Sequence, residues 1–344
     1  MRKGFTALAV VGIAAVAAVL ALTQNRFATT SLYGSAMTAQ DYEFIKFVTT
    51  HGKSYATKEE YEFRSNLFKQ ALAKIELENA KVENTFTVGI NKFADWTHEE
   101  NKRLLGYKSN RIAGSRPAPV NYNVSIPTSV DWRTEGAVNP VKDQGQCGSC
   151  WAFSAVSSTE SRYKIAKGTL YSLSEQQVVD CCDYGGSMGC NGGDEDQAMD
   201  YIRDKGIMLG KDYPYVAYDQ DCAYDATKLT PVHPSSHTMV QANSAVALKT
   251  AIASGPVSVA IEADTTVFQF YTGGILNSQS CGTDLDHAVV AVGYGVDSVK
   301  GEFYIVRNSW GSSWGEKGYV RIAGGKDGAG ICGIQSDCAY PNFV

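Results

Sequence analysis

Nine cysteines occur in the chain, and one of them is placed unlike the rest. Residues 144–154 read Gln-Gly-Gln-Cys-Gly-Ser-Cys-Trp-Ala-Phe-Ser, where a loop broken by Gly145 and Gly148 turns into an apolar, helix-forming run at Trp151. A thiol in the first turn of a helix feels the positive end of the helix dipole, which draws its pKa toward the thiolate. Cys150 has that placement, and Cys147 does not. A thiolate nucleophile needs a base, and the base needs something to hold it. Three histidines follow in the second part of the chain: His233, His237 and His287. The first two flank Pro234-Ser-Ser, the composition of an exposed loop. His287 closes the polar turn Gly282-Thr-Asp-Leu-Asp and directly precedes an apolar run, so it sits at a strand mouth where it would meet a group from another lobe. Asn308 follows the strand-like Tyr304-Ile-Val-Arg and opens Asn308-Ser-Trp-Gly-Ser-Ser-Trp-Gly. Its amide oxygen would accept from one ring nitrogen of His287 and turn the other toward sulfur, with Trp310 and Trp314 shielding that bond. Acyl transfer also needs donors for an oxyanion. The Cys150 backbone N–H is one candidate, and the Gln144 side-chain amide, six residues earlier, is another.

Each residue has a plainer reading when taken singly: a structural histidine, a turn asparagine beside two core tryptophans, a solvated glutamine. Cys147-x-x-Cys150 also has the spacing of a redox pair or half a zinc site. A redox pair normally follows a strand in a βαβ unit, and no such unit is evident. A zinc site would need a matching second pair, and the adjacent Cys181-Cys182 cannot copy the spacing. No metal and no cofactor is expected.

The elements that must position these groups divide the chain in two. Arg2 and Lys3 precede the apolar run Gly4–Leu22, the pattern of a cleaved signal peptide; at 19 residues it nearly reaches the length of a membrane anchor. Residues 39–81 read as helical, with Glu60, Arg64, Phe68, Ala71, Ile75 and Asn79 on one face. Thr85–Phe93 alternates like a strand. Residues 107–128 have the Pro-, Gly- and Ser-containing composition of an extended linker open to proteolysis, and Asn123-Val-Ser within it is a glycosylation acceptor. Beyond it, residues 149–167, 174–180 and 194–205 read as helices. Strand patterns follow at 257–261, 288–294, 303–307 and 318–322. Helices first and strands second predict an α+β chain of two lobes.

All nine cysteines lie at or after residue 147, which places the second part in an oxidising compartment with one thiol left over if the rest pair. Residues 1–125 carry 16 basic against 11 acidic residues, and residues 126–344 carry 15 against 25. The acidic second part has no basic stripe, which argues against nucleic-acid binding. The opposite charges fit an intramolecular inhibitor on its enzyme, which acid would loosen by protonating carboxylates.

Taken together, Gln144-Gly-x-Cys-Gly-Ser-Cys-Trp, Asp286-His287-Ala and Asn308-Ser-Trp-Gly resemble the three active-site blocks of the papain family of cysteine peptidases, in order. Within the family the chain resembles the cathepsin L-like group. Residues 60–79 resemble its propeptide helix motif, with Ala71 in place of the central Asn, and Gly89-x-Asn91-x-Phe93-x-Asp95 its second propeptide motif. The resemblance implies a papain-like two-lobe fold, helical over about 126–236 and β-barrel-like over about 237–344, with the active-site cleft between. It is preceded by a signal peptide (1–22) and a mostly helical inhibitory propeptide (23–125) lying along the cleft in the non-productive direction. It implies Cys150 as nucleophile, His287 as acid/base, Asn308 as orienter and Gln144 in the oxyanion hole. It also implies disulfides Cys147–Cys190, Cys181–Cys222 and Cys281–Cys332, and the leftover Cys182 and Cys338 suggest a fourth bridge.

For substrate binding, Gly192 and Gly193 resemble the backbone edge that pairs with an extended peptide. Trp310 borders the cleft. The pocket for the side chain two residues before the scissile bond corresponds to Glu195, Ala260, Ala288 and Asp337, and its two carboxylates would accept Arg or Lys as well as Leu or Phe. Cys190 and Cys222 are separated by no His-His insertion of the kind that resembles dipeptidase activity in the cathepsin B branch, which favours an endopeptidase. The expected partners are protein and peptide substrates, the chain's own propeptide and cystatin-type inhibitors. The protein is expected to be a monomer of the secretory pathway, in a lysosome- or vacuole-like compartment or outside the cell, with no membrane contact after signal cleavage.

Overall fold

The computed structural model describes residues 37–109 and 125–344; the signal-like run and Asn123 lie outside them. Two compact units result, one up to Lys69 and one from Gln70.

In the first unit, α1 (Ala39–Thr50) starts at a capping box. The Thr38 hydroxyl accepts from the Asp41 N–H, and the Asp41 carboxylate accepts from the Thr38 N–H. The single helix expected over 39–81 is two helices. The chain turns at Gly52 (φ +60°), a conformation glycine adopts without steric cost, and resumes as α2 (Lys58–Asn79), which runs past the boundary at Lys69. Phe44, Phe47 and Phe68 stack as an aromatic core, 5.0–6.1 Å between ring centroids.

The second unit holds the rest. The strand expected over Thr85–Phe93 is only β1 (Phe86–Val88), because the Asn91 side chain accepts from the Phe93 N–H and donates to the Gln269 carbonyl, folding the chain into a turn. A one-turn α3 (His98–Lys102) follows, again on a capping box. After β2 (Val130–Asp131) comes α4 (Cys150–Lys167), whose residues Cys150 to Arg162 are all buried. Such a helix runs through a core rather than over it. It ends at Gly168 in the left-handed conformation. The shorter α5 (Glu175–Cys181) and α6 (Glu195–Lys205) complete the helical lobe.

The second lobe contains β3 (Ser236–Met239), α7 (Ala245–Ala253), β4 (Val257–Ile261), α8 (Thr266–Gln269), β5 (Tyr271–Leu276), β6 (His287–Asp297), β7 (Gly301–Arg307), β8 (Tyr319–Ala323) and β9 (Cys338–Asn342). The strands join in the order β1-β5-β8-β7-β6-β4-β9-β3, with β2 on β6. This path has two ends, so the barrel-like lobe is an open sheet. Strands β5 and β9 escape periodicity because Gly273-Gly274 and Pro341 interrupt them. Among the described residues no helix is long and apolar enough to cross a membrane.

Three disulfides form: Cys147–Cys190, Cys181–Cys222 and Cys281–Cys332. The expected Cys182–Cys338 bridge does not. The Cys182 thiol lies 3.9 Å from the Gln197 carbonyl in the helical lobe, while that of Cys338, the first residue of β9, lies 3.2 Å from the Ile334 carbonyl. Each sulfur is engaged within its own lobe.

Candidate active site

Three elements converge at the lobe boundary. Cys150 is the first residue of α4, and the Ser149 hydroxyl before it bonds the Tyr215 hydroxyl at 2.6 Å instead of capping the helix. Tyr215 in turn donates to the Gln144 carbonyl at 2.8 Å. The loop to Gln144 is tied from below by Lys142, whose ammonium meets Glu160 of α4 (3.2 Å) and Glu175 of α5 (2.5 Å). His287 opens β6, paired with Ile261 of β4. Asn308 directly follows β7, whose last residue, Arg307, donates to the Ser157 hydroxyl in mid-α4 and to the Pro140 carbonyl.

The imidazole is wholly buried. Its Nε2 lies 2.8 Å from Asn308 Oδ1, which also accepts the Ser309 N–H at 2.8 Å. An amide oxygen can only accept, so Nε2 carries the proton. Nδ1 is left with a lone pair and makes no hydrogen bond. Trp310 lies against the imidazole at 4.9 Å between ring centroids and 33° between planes. The backbone N–H of Ala288, the residue after His287, pulls on the Cys150 thiol, which puts Cys150 beside the start of β6. The buried Gln144 side chain is fixed at both ends: Oε1 accepts from the Ser309 hydroxyl at 2.6 Å, and Nε2 donates to the Cys147 carbonyl at 2.8 Å.

Residues 104–108, only the last two of which belong to the expected linker, fill the cleft. The Gly106 N–H points at the Cys150 sulfur at 3.2 Å. Gln144 Nε2 also donates to the Leu104 carbonyl at 2.9 Å, so the would-be oxyanion donor is already engaged. Gly193 donates to the Gly106 carbonyl and accepts the Lys108 N–H, both at 2.9 Å, in a parallel bridge with Tyr107. The adjoining Gly192 takes φ +113°. The Tyr107 N–H is held by the Asp286 carbonyl at 3.0 Å. Tyr107 itself joins one apolar cluster with Cys150, Trp151, Ala260 and Ala288, the last two paired across β4 and β6. Its hydroxyl donates to Asp337 Oδ2 at 2.7 Å. Burial first, then the charges of Glu195, Asp337 and Asp194, raise the pKa of that hydroxyl and keep its proton on oxygen. Glu195, the first residue of α6, is fully buried beside it.

The expected thiolate is not the state of this cleft. Burial pushes the Cys150 thiol up to about 12, against the pull of the Ala288 and Gly106 N–H groups. Burial likewise holds His287 down at about 4, against its bond to Asn308. Both groups are therefore neutral while residues 104–108 cover them. Asp286 moves the other way, to about 7, because it is buried and faces Asp264 and Glu262.

The resemblance implies a propeptide along the cleft but does not say that the strap Leu104–Lys108 is the part that fills it, and it assigns no role to Asp286 or to the Ser309 clamp on Gln144. The strap has no periodicity to find. Its signal is a glycine between Leu105 and Tyr107, at a point where backbone must approach backbone. His233 and His237 take no part: the His237 ring pairs with Asp200 at 2.9 Å, and a Cβ on Gly206 would stand 2.7 Å from the His233 ring. Among the described residues, no group of three or more His, Cys, Asp or Glu could hold a metal ion.

Comparison with known proteins agrees with this geometry. The papain family cysteine protease profile matches residues 126–342, and the cathepsin propeptide inhibitor domain (I29) matches residues 44–101. A digestive cysteine proteinase 3 of Homarus americanus is 42% identical over 321 residues, covering 90% of this chain and 97% of its own. A senescence-specific cysteine protease of Oryza sativa subsp. indica is 41% identical over 304 residues, covering 86% and 88%. Among solved structures, digestive procathepsin L 3 from the larval midgut of Tenebrio molitor superposes with a TM-score of 0.77 at 38% identity, over 89% of this chain and all of its own. This chain belongs to the papain family of cysteine proteases and carries a cathepsin-type propeptide inhibitor domain, which makes it a protease zymogen.

Proposed function

We propose that the mature protein, from about residue 126, is a cysteine endopeptidase in which Cys150 attacks the peptide carbonyl and His287 moves the proton. Nδ1 of the imidazole takes the thiol proton and later delivers it to the leaving amine, while Asn308 holds Nε2. The Cys150 N–H and Gln144 Nε2 receive the oxyanion, and water then clears the thioester. The observation that carries this reading is the strap itself. A peptide lies with an N–H on the sulfur and a carbonyl on Gln144, but it pairs in parallel with Gly193. From N- to C-terminus it passes the oxyanion site before the side-chain pocket, the reverse of a productive substrate.

The pocket around Ala260, Ala288, Glu195 and Asp337 then selects the side chain two residues before the scissile bond. Tyr107 marks its chemistry: an apolar shaft ending in a donor for Asp337. Arg, Lys and Tyr fit that description. The zymogen enters the secretory pathway for a lysosome- or vacuole-like compartment or the cell exterior, and acts as a monomer open to cystatin-type inhibitors once the strap has left. Processed enzyme assayed on peptides with Arg, Tyr or Leu at the pocket position tests both levels. Cys150→Ala abolishes all cleavage if the nucleophile is right. Asp337→Ala shifts preference from Arg toward Leu by about 10- to 150-fold, the worth of one charge-assisted hydrogen bond; an unchanged ratio rejects the acidic pocket.

A further inference from the structure

One charged contact of the propeptide lies on the other side of the nucleophile from the Tyr107 pocket. Lys92 Nζ meets Asp143 Oδ2 at 2.6 Å and also lies 5.2 Å from the centre of the Phe93 ring. Asp143 is well fixed for a half-exposed residue. Its other oxygen accepts the Gly145 N–H at 3.0 Å, and its backbone bridges to Trp310. The next residue, Gln144, donates its N–H to the Ser309 carbonyl at 2.9 Å. A Cβ on Gly311 would stand 2.7 Å from Asp143 Oδ2, so glycine there leaves the carboxylate its room.

The carboxylate borders a cavity of about 330 Å³. One wall is built from Asp143, Gly145, Gln146, Trp310 and the chain at 215–217, all of the mature part. The opposite wall is Lys92, Phe93, Trp96 and Leu104, all of the propeptide. The strap direction tells which half of a substrate passes here. Leu104 holds the oxyanion donor and Tyr107 the pocket, so a substrate running the productive way leaves the oxyanion site toward Leu104 and this cavity. Removing the propeptide takes away the Lys92 wall and leaves Asp143 facing the leaving-group side of the cleft.

We infer that Asp143 is a specificity-determining residue that recognises a lysine or arginine side chain on the leaving-group side of the scissile bond, in the place Lys92 holds in the zymogen. The inference rests on the endopeptidase reading above. A flexible cation from a substrate meets a carboxylate already oriented by Gly145, and a substrate carboxylate there meets like charge.

The test uses processed enzyme and internally quenched peptides that share one pocket residue and carry Lys, Leu or Glu at each of the first three leaving-group positions. At one of these positions kcat/KM for Lys exceeds that for Glu by about 3- to 10-fold, the range for a partly exposed pair and its repulsive counterpart. The ratio falls as salt is raised, collapses toward one in Asp143→Asn, and survives in Asp143→Glu. Equal rates at all three positions, or a ratio that Asp143→Asn leaves intact, overturns the inference while leaving the endopeptidase reading standing. Failure to cleave any peptide overturns both.

Discussion

His287 and Asp286 are neighbours in sequence and titrate against each other. With the strap closed, His287 is held near 4 instead of 6.5. As pH falls from 6.5 toward 4, the opened form takes up a proton that the closed form refuses. Acid therefore weakens closure through this residue, by up to about 1.4 kcal/mol per pH unit, and the loss is complete below about pH 4. Asp286 has the opposite sign. Burial and the facing Asp264 and Glu262 raise its carboxyl to about 7. The share of that burial supplied by the strap, whose Tyr107 N–H sits on the Asp286 carbonyl, makes acid strengthen closure below that value. The two effects therefore oppose each other as pH falls through this range. Replacing Asp286 by Asn removes one side of this balance. In the intact zymogen, the rate of Cys150 labelling by an epoxide inhibitor, taken as variant over wild type, should rise by up to about tenfold per unit as pH falls from 6.5 to 4. A variant-to-wild-type ratio that stays level across that window refutes the opposition.

At the scale of elements, the strap closes because one glycine lets two backbones touch. A Cβ on Gly106 would lie 1.7 Å from the Gly148 carbonyl oxygen, and Gly148 is backbone of a loop anchored next door by the Cys147–Cys190 disulfide. That backbone cannot yield as a side chain would. Gly106→Ala should therefore weaken closure by about 1–3 kcal/mol, the usual cost of overpacking. That is about 5- to 150-fold more open zymogen, read as epoxide labelling of the uncut chain at neutral pH. Labelling as slow as wild type would mean that the strap does not depend on this contact. Tyr107→Phe gives a milder version, since it keeps the ring in the pocket and removes only the donor to Asp337.

The same elements show what a reader of the sequence can and cannot see. Cys150 at a helix start, His287 at a strand mouth and Asn308 at a strand end are local signals, because glycine, apolar periodicity and turn composition fix each one nearby. Strands β4, β6, β7 and β8 were legible for the same reason. The strap's exact residues were not, because its conformation is imposed by partners 40 to 230 positions away, at Gln144 and Asp337. The thiol's state was misjudged for a related reason. A helix dipole is written in the local sequence, but burial by a distant segment is not, and here burial outweighs it.

At the scale of the mature part, the two lobes are joined by a cation that neither lobe explains alone. Arg162 lies near the end of the buried stretch of α4, and its guanidinium reaches into the second lobe. Nε donates to the Pro256 carbonyl at 2.7 Å, and one terminal nitrogen donates to Ala251 and Gly255, both at 2.9 Å. These carbonyls close the C-terminal end of α7, where the helix dipole favours a positive charge. The guanidinium also stacks on Tyr340 of β9 at 3.7 Å. One side chain thus ties the helix that carries Cys150 to the helix and strands that support His287. Arg162→Met would keep much of the apolar stem but leave those buried carbonyls without their donor. Breaking such a set costs about 3–5 kcal/mol, which in a domain of this size lowers Tm by about 6–20 °C. Arg162→Lys restores charge but not the fork of donors, and should recover only part of the loss. Calorimetry on the processed enzyme distinguishes these outcomes. A shift under about 2 °C for the Met variant would mean that the lobes are held by apolar packing along α4 and that the cation is incidental to their union.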